Sequence, residues 1–179
     1  MSKKGLAPRY WESKTLDALD QDEWEALCDG CARCCLIKLE DADTGEIHYT
    51  DVVCSKLDQD HCRCTCYETR TTVVPDCVTV RPDNLDELEW MPETCAYRLL
   101  NEGKPLPDWH PLISGNRRSV HAAGISVRGR CISQEFVHRD DIVERVIQWR
   151  TKPEPSGASS TTGSEQDASP RPASRKRSR

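Results

Sequence analysis

The chain is short of most of what builds a large core. Among 179 residues it has one phenylalanine and two methionines, and hydrophobic residues make up 36%. That share is below the usual globular one, so the interior must be small. Five tryptophans and four tyrosines partly compensate, because each aromatic ring buries a large area. Long apolar runs are also missing. Nothing approaches the roughly 18 residues needed to cross a bilayer, which excludes a membrane-spanning helix. Met1–Pro8 carries Lys3 and Lys4 with no apolar stretch behind them, so no secretory signal is expected and the chain is expected in the cytoplasm. A phosphate-binding glycine loop, a dinucleotide fingerprint and a nucleophile elbow are absent too. No catalytic residue is assigned, and the pattern reads as a binding or assembly module rather than an enzyme.

Cysteine runs the other way, with eleven residues. Four of them fall in the eight-residue stretch Cys28-Asp29-Gly30-Cys31-Ala32-Arg33-Cys34-Cys35, and the rest stand at Cys54, Cys62, Cys64, Cys66, Cys77, Cys95 and Cys131. A small core accommodates one or two thiols as minor hydrophobes but has no packing reason to collect four in two turns of chain. Structural disulfides rarely persist in a reducing compartment, so such a density there points to metal or to catalysis. Redox-active thiols without metal, and disulfides or core thiols, are the alternatives to chelation.

Thiolate is the ligand species, and soft sulfur selects zinc, copper(I) or iron–sulfur clusters over magnesium or calcium. Cys28-x2-Cys31 has the spacing of a zinc pair, and Cys62-x-Cys64 is a tighter one. Cys28-x2-Cys31-x2-Cys34 also matches the first three ligands of a ferredoxin-type run, but Cys35 follows at once where a fourth cysteine three residues on and a proline are needed. Adjacent cysteines cannot easily both face one ion. With Cys54, Cys62, Cys64 and Cys77 there are enough thiolates for two four-coordinate sites or one multinuclear cluster. A metal staple would also relieve the small core.

The predicted fold is α+β, small, irregular and cysteine-rich, with several helices and short hairpin strands. Helical pattern covers 9–28, capped at Asp20 or Asp22, with Trp24, Leu27, Cys28 and Cys31 on one stripe. Leu36–Leu39 and Glu46–Thr50 flank an acidic turn and form a hairpin; the turn lacks the ligand spacing of a calcium loop. Short helices are expected at 83–90 and from Pro92 through Leu100, with an extended connector at 104–116. A strand over 125–132 and a closing helix over 139–150 complete residues 1–150 as one metal-chelating domain. Residues 151–179 are rich in Ser, Gly, Thr and Pro and end in basic residues, which predicts a disordered tail. That tail carries six basic and three acidic side chains, leaving the folded part at −8. A nucleic-acid surface on the folded part is therefore not expected, although a zinc module touching nucleic acid through the tail is one alternative function.

Cys28-x2-Cys31-x2-Cys34-Cys35, Cys54-x2-Leu57, Cys64-x2-Tyr67-x2-Arg70 and Cys77 together resemble the bacterial CxxCxxCC family of zinc- or iron-chelating proteins. Trp24-Glu25-x-Leu27, Thr94-Cys95-Ala96-Tyr97-Arg98, Trp109-His110-Pro111-Leu112 and Ile125-Ser126-Val127-Arg128 are similar to its YcgN-like branch. The likeness spans about residues 9–150 and implies zinc or iron, including an iron–sulfur cluster, as the cofactor, with the metal ion as partner. It names no protein partner. It includes Cys95, as a core thiol or an additional ligand, and leaves out Cys66 and Cys131. Tyr67 and Arg70 are candidate outer donors to thiolate sulfur. An electron-transferring iron–sulfur or radical enzyme component is the other alternative. Flagellin lysine methylase-like proteins share the motif, but this chain is shorter and has no methyl-donor motif.

Overall fold

A computed structural model of the chain describes residues 5–153. All but the first three residues of the expected tail lie outside the described residues. Two short helices open the chain, α1 over Tyr10–Ser13 and α2 over Gln21–Ala26, with a 3-10 turn at Leu16–Ala18 between them. Asp20 starts α2 through a reciprocal cap. Its carboxylate accepts from Glu23 N at 2.9 Å, and the Glu23 carboxylate accepts from Asp20 N at 3.0 Å. The helix ends at Ala26, before the thiols, so the expected helical stripe does not continue through Cys31. Gly30 (φ 78°) and Ala32 (φ 58°) are left-handed and turn the chain back on itself twice. For alanine that conformation is strained, at a cost on the order of 1 kcal/mol or more.

The hairpin forms as expected. Strands β1 (Leu36–Glu40) and β2 (Ile47–Val53) pair antiparallel. In the acidic turn, the Asp41 carboxylate accepts from Asp43 N, Thr44 N and the Thr44 hydroxyl, a solvated turn that holds itself. Strands β3 (Leu57–Asp58) and β4 (Arg63–Cys64) make a second, two-stranded sheet. Single-turn helices α3 (Arg70–Val73), α5 (Pro111–Ser114) and α6 (Ser119–Ala122) and the six-residue α4 (Ala96–Asn101) follow. Segment 83–90 is a 3-10 turn over Pro82–Glu87 instead of an α-helix.

Two further expectations change. The alternating 125–132 stretch yields only β5, Ile132–Ser133, which adds parallel to β2 on the edge away from β1. Gly129 at φ 70° breaks the run, and Arg130 folds back to donate to Ser126 O at 2.6 Å. The closing segment is a 3-10 turn, Arg139–Arg145, followed by extended chain, not an α-helix. Val143, at 64% exposure, buries little. Closure comes instead from the Thr50–Val146 bridge, from Arg145 gripping the Asp51 carboxylate at 2.8 and 2.6 Å, and from the Trp149 indole donating to Thr50 O at 3.0 Å. The side chains of 142–147 are apolar at helical spacing, but the edge of β2 offers backbone partners that a helix would forgo.

The core is split in three. Tyr10, Trp11, Trp24, Leu27, Met91 and Tyr97 anchor the largest cluster. Ala32, Leu36, Val53, Leu57, Cys62 and Val127 form a second, and Cys31, Val120, Ala123 and Ile125 a third. Leu27, Cys31 and Ala32 each belong to a different cluster, so the loop after α2 is where all three meet.

Candidate metal centre

Distant side chains fix the entry to that loop. The Tyr10 hydroxyl donates to Glu23 O (2.7 Å), the Tyr97 hydroxyl to Trp24 O (3.1 Å) and His110 Nε2 to Leu27 O (3.0 Å). Trp24 O also accepts from Leu27 N at 3.1 Å, and the three side-chain bonds hold the end of α2 while positioning Cys28. His110 also accepts from Leu112 N at 3.1 Å, which fixes the neutral tautomer with its proton on Nε2. It is fully buried and burial lowers its pKa. Its role is structural. On the far side, Val127 N donates to Cys31 O at 2.9 Å and Cys54 N to Cys35 O at 2.9 Å, tying the loop to both later thiol-bearing regions.

The two thiol blocks come together around Cys34. Cys28, Cys31, Cys35, Cys77 and Cys95 all feel its charge. Cys35 is also a neighbour of Cys54 and Cys64, and Cys77 of the same two. Cys66 joins them, with its Sγ 3.7 Å from that of Cys64. The neighbouring Cys35 holds Cys34 down at about 7, with Lys38 helping against desolvation, while Cys34 and desolvation push Cys35 far up. Burial also raises Cys31, and desolvation raises Cys95 to about 12, whereas Cys28 and Cys34 keep exposed surface. All eleven cysteines are free thiols. Among the described residues no three of these donors are grouped closely enough to hold one ion.

Cys62 and Cys131 lie elsewhere. Cys62, left-handed at φ 52°, is buried in the second apolar cluster, and its thiol donates to Gln59 O at 3.8 Å. Cys131 packs against the same cluster and donates to Gln59 Oε1 at 3.5 Å. Tyr67 and Arg70 stand at the edge of the thiol group, with the guanidinium over the ring at 4.0 Å. The Tyr67 hydroxyl donates to Glu25 at 2.7 Å, not to sulfur, while Arg70 acts to lower the Cys77 thiol.

Two cations beside this group, the buried Arg33 and the half-buried Lys38, were missed by reading the cysteines alone. Lys38 Nζ donates to Cys34 O (3.0 Å) and Leu36 O (2.8 Å) and sits over the Trp90 and Tyr49 rings at 4.5 and 5.4 Å. Arg33, 2% exposed, donates through Nε to Ile125 O at 2.6 Å and lies over Trp149 at 5.3 Å. Among the described residues no carboxylate pairs with either. Burial lowers both cations; against it Cys34, Cys35 and Cys31 act to raise Lys38, and Cys31 and Asp29 to raise Arg33. The sequence signal was a charged residue set between ligands and another in an apolar strand.

Three buried polar side-chain atoms among the described residues have no partner: Asp29 Oδ2, Arg33 Nη2 and Thr94 Oγ1. Each adjoins a cysteine of the group, namely Cys28, Cys34 and Cys95. Buried polar groups are normally satisfied, so each of these three is an exception. The chemistry of the donor set, soft sulfur in this number, suits zinc or iron.

Residues 27–96 match the CxxCxxCC family model, described as a "Putative zinc- or iron-chelating domain". A UPF0260 protein of Parvibaculum lavamentivorans is 51% identical over 144 residues, 80% of this chain and 94% of that one. UPF0260 proteins of Cellvibrio japonicus and Rhizobium etli are each 51% identical over 140 residues, 78% of this chain and 95% and 89% of theirs. No solved structure matches.

Proposed function

Because the chain belongs to the CxxCxxCC family, the UPF0260 proteins, we propose that it chelates zinc or an iron–sulfur cluster through clustered thiolates. The observation that carries this is that Cys28, Cys31, Cys34, Cys35, Cys54, Cys64 and Cys77 stand as free thiols within electrostatic reach of one another, beside the cations Arg33 and Lys38. Cys66 and Cys95 are added to that group, and Cys62 is left out of it. Thiolates carry the negative charge that Arg33 and Lys38 need, and a bound cation lets the thiolates stay close. Eleven unpaired cysteines favour a reducing compartment, the cytoplasm. No helix among the described residues is long and apolar enough to cross a membrane.

The metal itself is read by anaerobic purification, elemental analysis and a visible spectrum. Stoichiometric zinc in colourless protein assigns the zinc form. Iron with acid-labile sulfide and broad visible absorbance assigns the cluster, and reversible reduction of that absorbance by dithionite is the result an electron-transfer role requires. Protein that holds neither, and takes up neither on reconstitution, overturns the proposal.

A further inference from the structure

A cavity of about 420 Å³ lies between β2, the loop at 89–93 and the closing segment at 146–151. Small-molecule sites run from about 300 to 1,000 Å³ and are mostly apolar, with a few placed polar groups. Here Tyr49, Trp90, Met91, Ile147 and Trp149 form wall, and Arg33 stands among them. Hydrogen bonds brace that wall. The Tyr49 hydroxyl donates to Trp90 O, the Trp149 indole to Thr50 O at 3.0 Å, and Arg98 Nη1 to Glu89 O and Met91 O at 2.9 and 2.7 Å. A ligand meets surfaces already in place, which lowers the ordering cost of binding.

Arg33 brings to this wall a donor without a partner. It is 2% exposed, so it belongs to the base of the cavity and not to its rim. Its Nε donates to Ile125 O at 2.6 Å, and its guanidinium carbon lies 5.3 Å from the Trp149 ring centroid. Nη2 is buried with no acceptor. Leaving a buried charged donor empty costs more than an ordinary hydrogen bond gains. Asp29 and the Cys31 thiol act on the guanidinium from a distance, and neither takes this hydrogen bond. An anionic oxygen at the base of the cavity supplies what Nη2 lacks. Lys38, over the Trp90 and Tyr49 rings at 4.5 and 5.4 Å, adds a second positive charge against the same wall.

The other charges narrow the class of anion. Glu46, Glu89 and Glu93 border the cavity and are exposed. They repel a dianionic phosphate about twice as strongly as a monocarboxylate. The apolar wall in turn favours an organic body over a bare ion. We propose that this cavity binds a small organic monocarboxylate with an apolar or aromatic body, its carboxylate accepting from Arg33 Nη2. The site goes beyond metal chelation and uses none of the cysteines.

The test is calorimetric titration of full-length protein of measured metal content with phenylacetate, indole-3-acetate and octanoate. Acetate, phenylacetamide and inorganic phosphate are the comparisons. At least one of the three carboxylates is expected to bind saturably at one site, and each comparison about tenfold more weakly or worse. Arg33→Gln is expected to lose about tenfold or more in affinity for that carboxylate. Should Arg33→Gln fail to fold by circular dichroism, Ile147→Glu carries the test with the same expectation. It sets a carboxylate at the half-open edge of the cavity and keeps the backbone bond from Ile147 N to Tyr49 O. No binding of any of the three carboxylates overturns the proposal. So does acetate or phosphate binding as tightly as they do, which reveals a simple anion site. Unchanged affinity in the folded variant places the carboxylate elsewhere and overturns it as well.

Discussion

The sulfur atoms of Cys64 and Cys66 stand 3.7 Å apart across one intervening residue. Two thiolates on one edge of a tetrahedral zinc site, with bonds of about 2.3 Å, lie ~3.8 Å apart. Cys66→Ser is therefore expected to remove one thiolate's share of the sulfur-to-metal charge-transfer absorbance in a cobalt(II) titration. Cys131→Ser, whose thiol faces Gln59, leaves that absorbance unchanged. Equal spectra for wild type and Cys66→Ser exclude Cys66 as a ligand.

Lys38 is the cation most tightly built into the thiol group. Lys38→Met keeps the aliphatic stem over Trp90 and Tyr49 and deletes the charge. Cobalt(II) affinity is expected to fall roughly tenfold to a hundredfold, the usual effect of losing a group that supports the ligands. Lys38→Arg restores most of it. A Lys38→Met protein that binds cobalt as tightly as wild type removes the countercharge role.

Removing the metal should cost stability in proportion to its binding. Metal at a thousandfold above its dissociation constant adds about 4 kcal/mol. For a domain of this size that is on the order of 10 °C in melting temperature. Calorimetry before and after a strong chelator in reducing buffer reads the difference. An unchanged melting temperature shows that the three apolar clusters hold without ligation.

His110 supplies a pH dependence with a definite sign. Its ring is neutral in the fold because burial opposes charge and Nδ1 already accepts from Leu112 N. Its folded pKa lies below the ordinary 6.5, so below that pH the unfolded chain binds the extra proton. Stability is intact above 6.5 and falls as pH drops, by up to about 1.4 kcal/mol per pH unit for this one group. His110→Gln should flatten the slope between pH 6.5 and 5 relative to wild type, measured by urea titration of the metal-free protein. A parallel slope in the variant assigns the acid sensitivity elsewhere.

What was legible in the sequence is what local chemistry dictates. Asp20 and Glu23 announce a helix start, Asp41 through Gly45 announce a hairpin turn, and Cys28 through Cys35 announce ligation. Regular structure failed to extend where the chain has little apolar surface to bury. At 125–131 and 139–150 the side-chain periodicity was present, but Gly129, Arg130 and the free edge of β2 decided the backbone. Side-chain direction was equally hidden. Cys62 and Cys64 are two apart on the same turn, yet the left-handed backbone at Cys62 sends one thiol into the core while the other joins the metal ligands proposed here. The burial of Asp29 and Arg33 has no signal in the local sequence either.

Leu27, Cys31 and Ala32 sit in three separate apolar clusters within six residues. None of those clusters is large enough to be a domain core by itself, and the strip joining them is the same strip that carries the ligands. On the reading proposed above, a metal bound to that strip would tie the three clusters to one another: loaded protein is expected to melt in one transition and metal-free protein to be cut faster by a protease, a difference that limited proteolysis with and without a chelator reads.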